Sequence, residues 1–186
     1  MFTNRPNVLV ATDDKRIEKA VKAFGGNVVM TSDKHNTGTN RCLEAYEIFK
    51  STSGVDYDVV INIQGDEPLL EPEQIKQILS CFDDKSTQMA TLVIPVIPFV
   101  RDADKNNWQQ QHTFYKHVGM YAFTPAALEE FANLSQTSLE IAESLEQNRW
   151  LENGNKIKVA TTEFETIAVD TLDDLNKVRN IITKKS

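Results

Sequence analysis

The chain has 186 residues, 40% of them apolar and 25% charged, which fits a single domain and excludes a disordered chain. With 20 Lys and Arg against 27 Asp and Glu, the net charge is −7 and the pI about 5.0. That excludes a general nucleic-acid binder, which needs a basic stripe, but leaves room for a loop that takes one anionic nucleotide. No apolar stretch reaches the roughly 18 residues of a membrane span, and the opening MFTNRPN lacks the apolar core of a secretory leader. Cys42 and Cys81 have no metal-type spacing and are expected as reduced thiols in the cytosol.

The run Asn7–Ala11 predicts a strand that ends at Thr12-Asp13-Asp14. A helix follows over Asp14–Phe24, with Ile17, Ala20, Val21 and Phe24 on one apolar stripe, stopped by Gly25-Gly26. Asn27–Met30 is a second strand. After the polar loop Thr31–Gly38, Thr39 is placed as the cap of a helix carrying Cys42, Leu43, Tyr46 and Phe49. Asp58–Ile63 is nearly continuous in β-branched residues, as in a parallel strand buried on both faces. It runs into Gln64-Gly65-Asp66-Glu67-Pro68, then a helix over Pro72–Phe82 and a strand over Met89–Pro95. The second half predicts a strand Val118–Phe123, a helix Pro125–Phe131 and a longer helix Leu139–Leu151. A strand Lys156–Thr161 and a helix Leu172–Ile182, capped by Thr171, complete it. Alternation of strand and helix points to an α/β fold with an open, mostly parallel but mixed sheet flanked by helices.

Ligands in such folds bind beyond the carboxyl ends of the strands. Three strand ends carry polar residues: Thr12-Asp13, Gln64–Glu67 and Asp170. Asp66 and Asp170 converging there would offer two hard oxygen ligands, a set that suits Mg²⁺ with substrate phosphates. The plainer alternative makes Asp66 a turn opener and Asp170 a helix-start residue. The loop His35–Arg41 leads into a helix N-terminus, where backbone N–H groups and Arg41 would hold an anion or a base edge; an ordinary capped loop reads equally well. His117 and Tyr121, four apart in a strand, share a face that would receive an acidic sugar, unless His117 is a satisfied core residue. Glu140, Glu143, Glu146 and Gln147, at steps of about three in one helix, read by spacing as a solvated face.

Taken together the segments are more specific. Val10-Ala11-Thr12-Asp13, Thr37-Gly38-Thr39 with Arg41, and Val60–Pro68 with its Asn-Ile-Gln-Gly-Asp-Glu-Pro string come first. His117–Tyr121, Glu143–Gln147 with Arg149, and Val169-Asp170-Thr171 with Asp174-Leu175 follow. In this order, over nearly the whole chain, they resemble the acidic-sugar cytidylyltransferase family, and within it the branch acting on 3-deoxy-manno-octulosonate (Kdo). The resemblance implies a nucleotide-diphospho-sugar-transferase-like, Rossmann-like fold that moves CMP from CTP to the anomeric hydroxyl of Kdo. Pyrophosphate would be released, and the product would feed lipopolysaccharide assembly. It further implies Mg²⁺ on Asp66 and Asp170, and Gln64 as a sugar contact beside the metal. His117, Tyr121, Glu146 and Gln147 would lie around the sugar, and Asp13, Thr39 and Arg41 around the cytidine. A cytoplasmic homodimer with no nucleic-acid or membrane partner completes the expectation. A sialic-acid-type cytidylyltransferase, or a non-catalytic nucleotide- or sugar-binding homologue, is the alternative.

The chain departs from the family twice. The basic phosphate-cradling loop of the family has no counterpart before Asn7, and several dozen residues are absent near Val96-Ile97, where Ile-Pro-Val-Ile-Pro reads as a splice of two motifs. The expectation is therefore one nucleotidyltransferase domain over residues 1–186, incomplete at those two places, whose full protein possesses the missing residues. A truly continuous chain would favour an impaired homologue.

Overall fold

The computed structural model describes residues 7–96, 113–165 and 167–185. In chain order the first elements are β1 (Leu9–Thr12), α1 (Lys15–Ala23), β2 (Asn27–Met30), α2 (Gly38–Ser53), β3 (Val60–Ile63) and α3 (Pro72–Ser80). A 3-10 turn at Cys81–Asp83 leads to β4 (Met89–Val96) and β5 (Phe114–Phe123). Then come α4 (Pro125–Asn133), α5 (Ser138–Glu143), α6 (Gln147–Glu152), β6 (Lys158–Thr161) and α7 (Leu172–Lys185). Both junctions at which the sequence departs from the family reach into stretches outside the described residues. The chain divides into two compact units, one holding residues up to Asn62 together with Phe123–Lys156, the other Ile63–Ala122 and Ile157 onward.

In the first unit β1 and β2 pair in parallel, Leu9 opposite Asn27 and Thr12 opposite Met30. The ladder continues where Thr31 N–H donates to the Thr12 carbonyl at 2.9 Å. Asp14 caps α1, its carboxylate accepting from the Arg16 N–H at 2.7 Å. Hydrogen bonds from the Arg16 side chain and backbone pull that carboxyl down to about 2. The predicted stripe of α1 is buried only at Val21; Ile17 is 46% and Phe24 73% exposed. Gly54 ends α2 at φ 69°, a conformation that costs glycine least.

The core of this unit is aromatic. Phe123, Phe131 and Trp150 are almost wholly buried. The ring of Phe131 lies 5.8 Å from that of Phe123 and 5.7 Å, edge-on, from that of Trp150, both favourable geometries. Trp150 Nε1 donates to the Lys156 carbonyl at 3.0 Å, so its one polar atom is satisfied.

The single helix expected over Leu139–Leu151 is broken. Ser144 takes a left-handed φ of 55°, which ends α5 and lets the chain restart as α6. The solvated acidic face expected there is corrected too. Glu140 is buried and grips buried Arg149 through two bonds, Nε to Oε2 at 2.8 Å and Nη2 to Oε1 at 2.5 Å. Arg149 Nη1 also donates to the Leu134 carbonyl at 3.0 Å, and the guanidinium carbon lies 5.7 Å from the Phe131 ring centre.

The four-stranded sheet has the order β3–β5–β4–β6. β4 and β6 run parallel, Ala90 opposite Lys158 and Val93 opposite Thr161. Ile78, Met89, Leu92 and Met120 form the apolar core of the second unit. Buried Thr91 is satisfied by donating to the Met120 carbonyl at 2.9 Å. β3 is half-buried rather than covered on both faces, and Ile63, at its exit, is 40% exposed. β5 starts at Phe114, earlier than the apolar run suggests, so His117 lies inside the strand. Fully buried Gln74 accepts from the Glu71 N–H at 3.0 Å and donates to the Phe164 carbonyl at 3.2 Å. As predicted, Thr171 caps α7, its hydroxyl accepting from the Asp174 N–H at 3.2 Å. Among the described residues no helix is long and apolar enough to cross a membrane.

Candidate functional site

The first unit gathers polar groups where β1 and β2 end and α2 begins. Arg41 Nη2 donates to Asp13 Oδ2 at 2.9 Å, and Nη1 donates to Thr31 Oγ1 at 2.6 Å and to the Ser32 carbonyl at 3.4 Å. One guanidinium thus ties the exits of both strands to the first turn of the helix, a fork that lysine could not reproduce. Glu44, one turn on, accepts from the Ser32 N–H at 2.8 Å and pairs with His35. The Ser32 bond first, and His35 second, hold its carboxyl below the usual range.

Thr39 does not cap α2. Thr37 does, accepting from the Asn40 N–H at 3.2 Å and donating to Asn40 Oδ1 at 2.6 Å. Thr39 is buried within the first turn. Either threonine satisfied the capping pattern, and only the backbone decides between them. Glu146 and Gln147 sit at the start of α6, both half-buried. Glu146 acts on the Cys42 thiol; burial first, and that carboxylate second, push the thiol up to about 12. Its Oε1 is buried without a hydrogen-bond partner among the described residues. Asp13, Arg41 and Glu146 therefore all bear on the first turns of α2.

The second unit holds the remaining candidates. After β3 the chain turns through Gln64-Gly65-Asp66-Glu67, with Glu67 N–H donating back to the Gln64 carbonyl at 3.2 Å. This turn is pinned from afar: Val169 N–H donates to the Asp66 carbonyl at 2.8 Å. The backbones that carry Asp66 and Asp170 are thereby brought together although they are distant in sequence. Both aspartates are exposed, and no ion pair engages either among the described residues.

His117 and Tyr121 lie on one face of β5, with Tyr121 Oη 3.0 Å from His117 Nδ1. His117 is exposed, so it is not a core histidine. Between them on the same face is Gly119. A Cβ built there would meet Glu67 Oε1 at 3.2 Å, Glu67 Cγ at 3.8 Å and Gln64 Cγ at 3.9 Å. Gln64 and Glu67 therefore lie over the His117–Tyr121 face, and the absence of a side chain at 119 makes the room. Sequence reasoning missed Glu67 and Gly119 on this face, and, in the first unit, Thr31 as a partner of Arg41. A four-residue turn brings its first and last residues together, which was the available signal for Glu67 beside Gln64.

Carboxylates such as those of Asp66 and Asp170, on segments joined by the Val169–Asp66 backbone bond, are hard oxygen donors of the kind Mg²⁺ takes. Among the described residues no group of three or more His, Cys, Asp or Glu could hold a metal alone.

A family profile described as cytidylyltransferase matches residues 2–98 and 95–157. The two matched segments meet at 95–98, where the sequence reads as a splice. The 3-deoxy-manno-octulosonate cytidylyltransferase of Parabacteroides distasonis is 49% identical over 204 residues, covering 92% of this chain and 80% of that protein. Its counterpart from Bacteroides thetaiotaomicron is 47% identical, over 95% of this chain and 82% of that protein. The 204 aligned positions outnumber the 186 residues of the chain, so the first relative carries a stretch with no counterpart here.

A solved structure of CMP:2-keto-3-deoxy-manno-octonic acid synthetase, complexed with CTP, superposes with a TM-score of 0.80 at 32% identity. It covers 99% of this chain and 83% of that one. A 4-diphosphocytidyl-2C-methyl-D-erythritol synthase from Anaerococcus prevotii, 12% identical with a TM-score of 0.61 over 95% of this chain and 81% of that one, shares the fold. Profile, relatives and fold agree on one conclusion: the chain belongs to the cytidylyltransferase family.

Proposed function

We propose that this protein transfers CMP from CTP to Kdo, releasing pyrophosphate, as a step toward lipopolysaccharide. The carrying observation is the Val169–Asp66 backbone bond, which draws Asp66 and Asp170 to one edge beside the Gln64–His117–Tyr121 face. The identity to Kdo cytidylyltransferases over most of the chain supports the same substrates, and the CTP of the solved relative supports the nucleotide.

In this reading Asp13, Thr39 and Arg41 hold the cytidine. Gln64, His117 and Tyr121 orient the sugar acid. The anomeric oxygen forms a bond to the α-phosphorus, the bond to the pyrophosphate oxygen breaks, and the hydroxyl proton is given up. Asp66 and Asp170 are the residues that would hold Mg²⁺, which when bound neutralises phosphate charge and polarises phosphorus. Most of the rate then comes from positioning and charge stabilisation. The protein works in the cytoplasm as a homodimer, without nucleic-acid or membrane partners. Sedimentation tests the dimer, and cell fractionation tests the compartment.

The test of the activity is pyrophosphate release from CTP, with and without Kdo and with and without Mg²⁺. Release that requires both supports the reading. Folded protein that binds CTP and Kdo but releases nothing makes it a binding homologue, and release with a sialic acid in place of Kdo moves it to the other branch.

A further inference from the structure

The turn after β3 carries a carboxylate to which the reading above gives no task. Glu67 closes the Gln64–Glu67 turn and is fixed by its own N–H bond to the Gln64 carbonyl at 3.2 Å. A second bond, from Val169 N–H to the Asp66 carbonyl at 2.8 Å, holds the same turn from its other side. The Glu67 side chain then lies across Gly119, with Oε1 at 3.2 Å and Cγ at 3.8 Å from where a Cβ would stand. Because 117, 119 and 121 alternate onto one face of β5, this puts the carboxylate on the face that bears His117 and Tyr121. Its second oxygen, Oε2, is buried and has no hydrogen-bond partner among the described residues. A carboxylate oxygen accepts hydrogen bonds, and leaving one buried and unused costs free energy unless something donates to it.

We propose that Glu67 is a further substrate-binding, specificity-determining residue, whose carboxylate accepts hydrogen bonds from hydroxyl groups of the acceptor sugar over Gly119. This rests on the reading of the His117–Tyr121 face as the sugar site. Gly119 belongs to the same device. A methyl group there would push the carboxylate by a few tenths of an ångström and fill the floor beneath the sugar.

The test is steady-state kinetics of Glu67→Gln and Gly119→Ala, varying Kdo, CTP and Mg²⁺ in turn, with Kdo binding to Mg²⁺-free protein measured by calorimetry. Glu67→Gln keeps the volume and removes the charged acceptor. The KM for Kdo should rise about tenfold or more, calorimetric affinity should fall in step, and the KM for CTP and the Mg²⁺ dependence should stay within twofold. Gly119→Ala should move the same parameter by a smaller factor. Unchanged Kdo parameters in Glu67→Gln overturn the proposal. An equal loss in Mg²⁺ dependence also overturns it, by assigning Glu67 to the metal edge. If the unaltered protein shows no Kdo-dependent turnover and no Kdo binding, the functional reading fails and takes this proposal with it.

Discussion

Replacing Glu140 by alanine strikes the most deeply buried charge pair described. The side chains of Arg149 and Glu140 are 5% and 6% exposed, and the pair is bidentate, at 2.5 and 2.8 Å. Without the carboxylate, the guanidinium keeps only the Leu134 carbonyl at 3.0 Å and the face of Phe131. Breaking such a pair leaves an uncompensated charge, and the expected loss is about 3–5 kcal/mol. That is a large share of the roughly 5–15 kcal/mol by which domains are usually stable. Replacing both residues, Glu140→Leu with Arg149→Met, should recover most of the loss, since an apolar pair of similar volume removes both desolvation costs.

The pair also has a pH signature. The Arg149 hydrogen bonds hold the Glu140 carboxyl below its usual range. Its contribution is therefore fully present above the unfolded value of about 4.3 and is lost as pH falls through the folded value. Urea denaturation followed by circular dichroism at several pH values measures all three effects. A loss below about 1 kcal/mol in Glu140→Ala, the scale of a surface pair, would refute the argument. So would a gap between wild type and Glu140→Gln that fails to narrow on acidification.

Asp66→Asn should abolish Mg²⁺-dependent pyrophosphate release while the melting curve stays unchanged, because Asp66 is exposed and only its carbonyl supports the turn; unchanged turnover would remove it from the metal edge. Arg41→Gln should raise the KM for CTP about tenfold or more by removing charge-assisted bonds to Asp13 and Thr31, with the KM for Kdo unmoved in the same kinetic series. Cys42, its thiol pushed up to about 12, should be alkylated by iodoacetamide at pH 8 on the order of a thousandfold more slowly than a free thiol; peptide mapping after timed labelling reads this directly.

Much of the fold was legible because its signals are local. β3 and β4 announce themselves as β-branched runs, and Thr171 as a cap by its place before an amphipathic stretch. The meeting of the backbone segments that carry Asp66 and Asp170 follows one topological rule about strand ends. What escaped depends on the backbone or on distant partners. Glutamates about three apart describe a helical face, and nothing in the letters says that Ser144 turns left-handed and ends it. Glu140 reads as a surface acid until Arg149 closes on it. The choice between Thr37 and Thr39 as cap is a shift of two residues, within the usual ambiguity of helix ends. The start of β5 escapes the apolar pattern because Lys116 and His117, both inside the strand, are exposed polar positions.

The two units are each assembled from separated stretches of chain, and this governs when the candidate site can exist during synthesis. The turn that bears Asp66 is made well before the Val169 N–H that pins it and the strand β6 that pairs with β4. Long-range closures of this kind are slow, since loop entropy is lost before any contact rewards it. Until residues 157–185 emerge, β4 keeps one edge open, and such edges invite pairing with other chains. The nascent protein thus passes through a stage in which aggregation competes with completion, and a chain stopped at Lys156 would be held there.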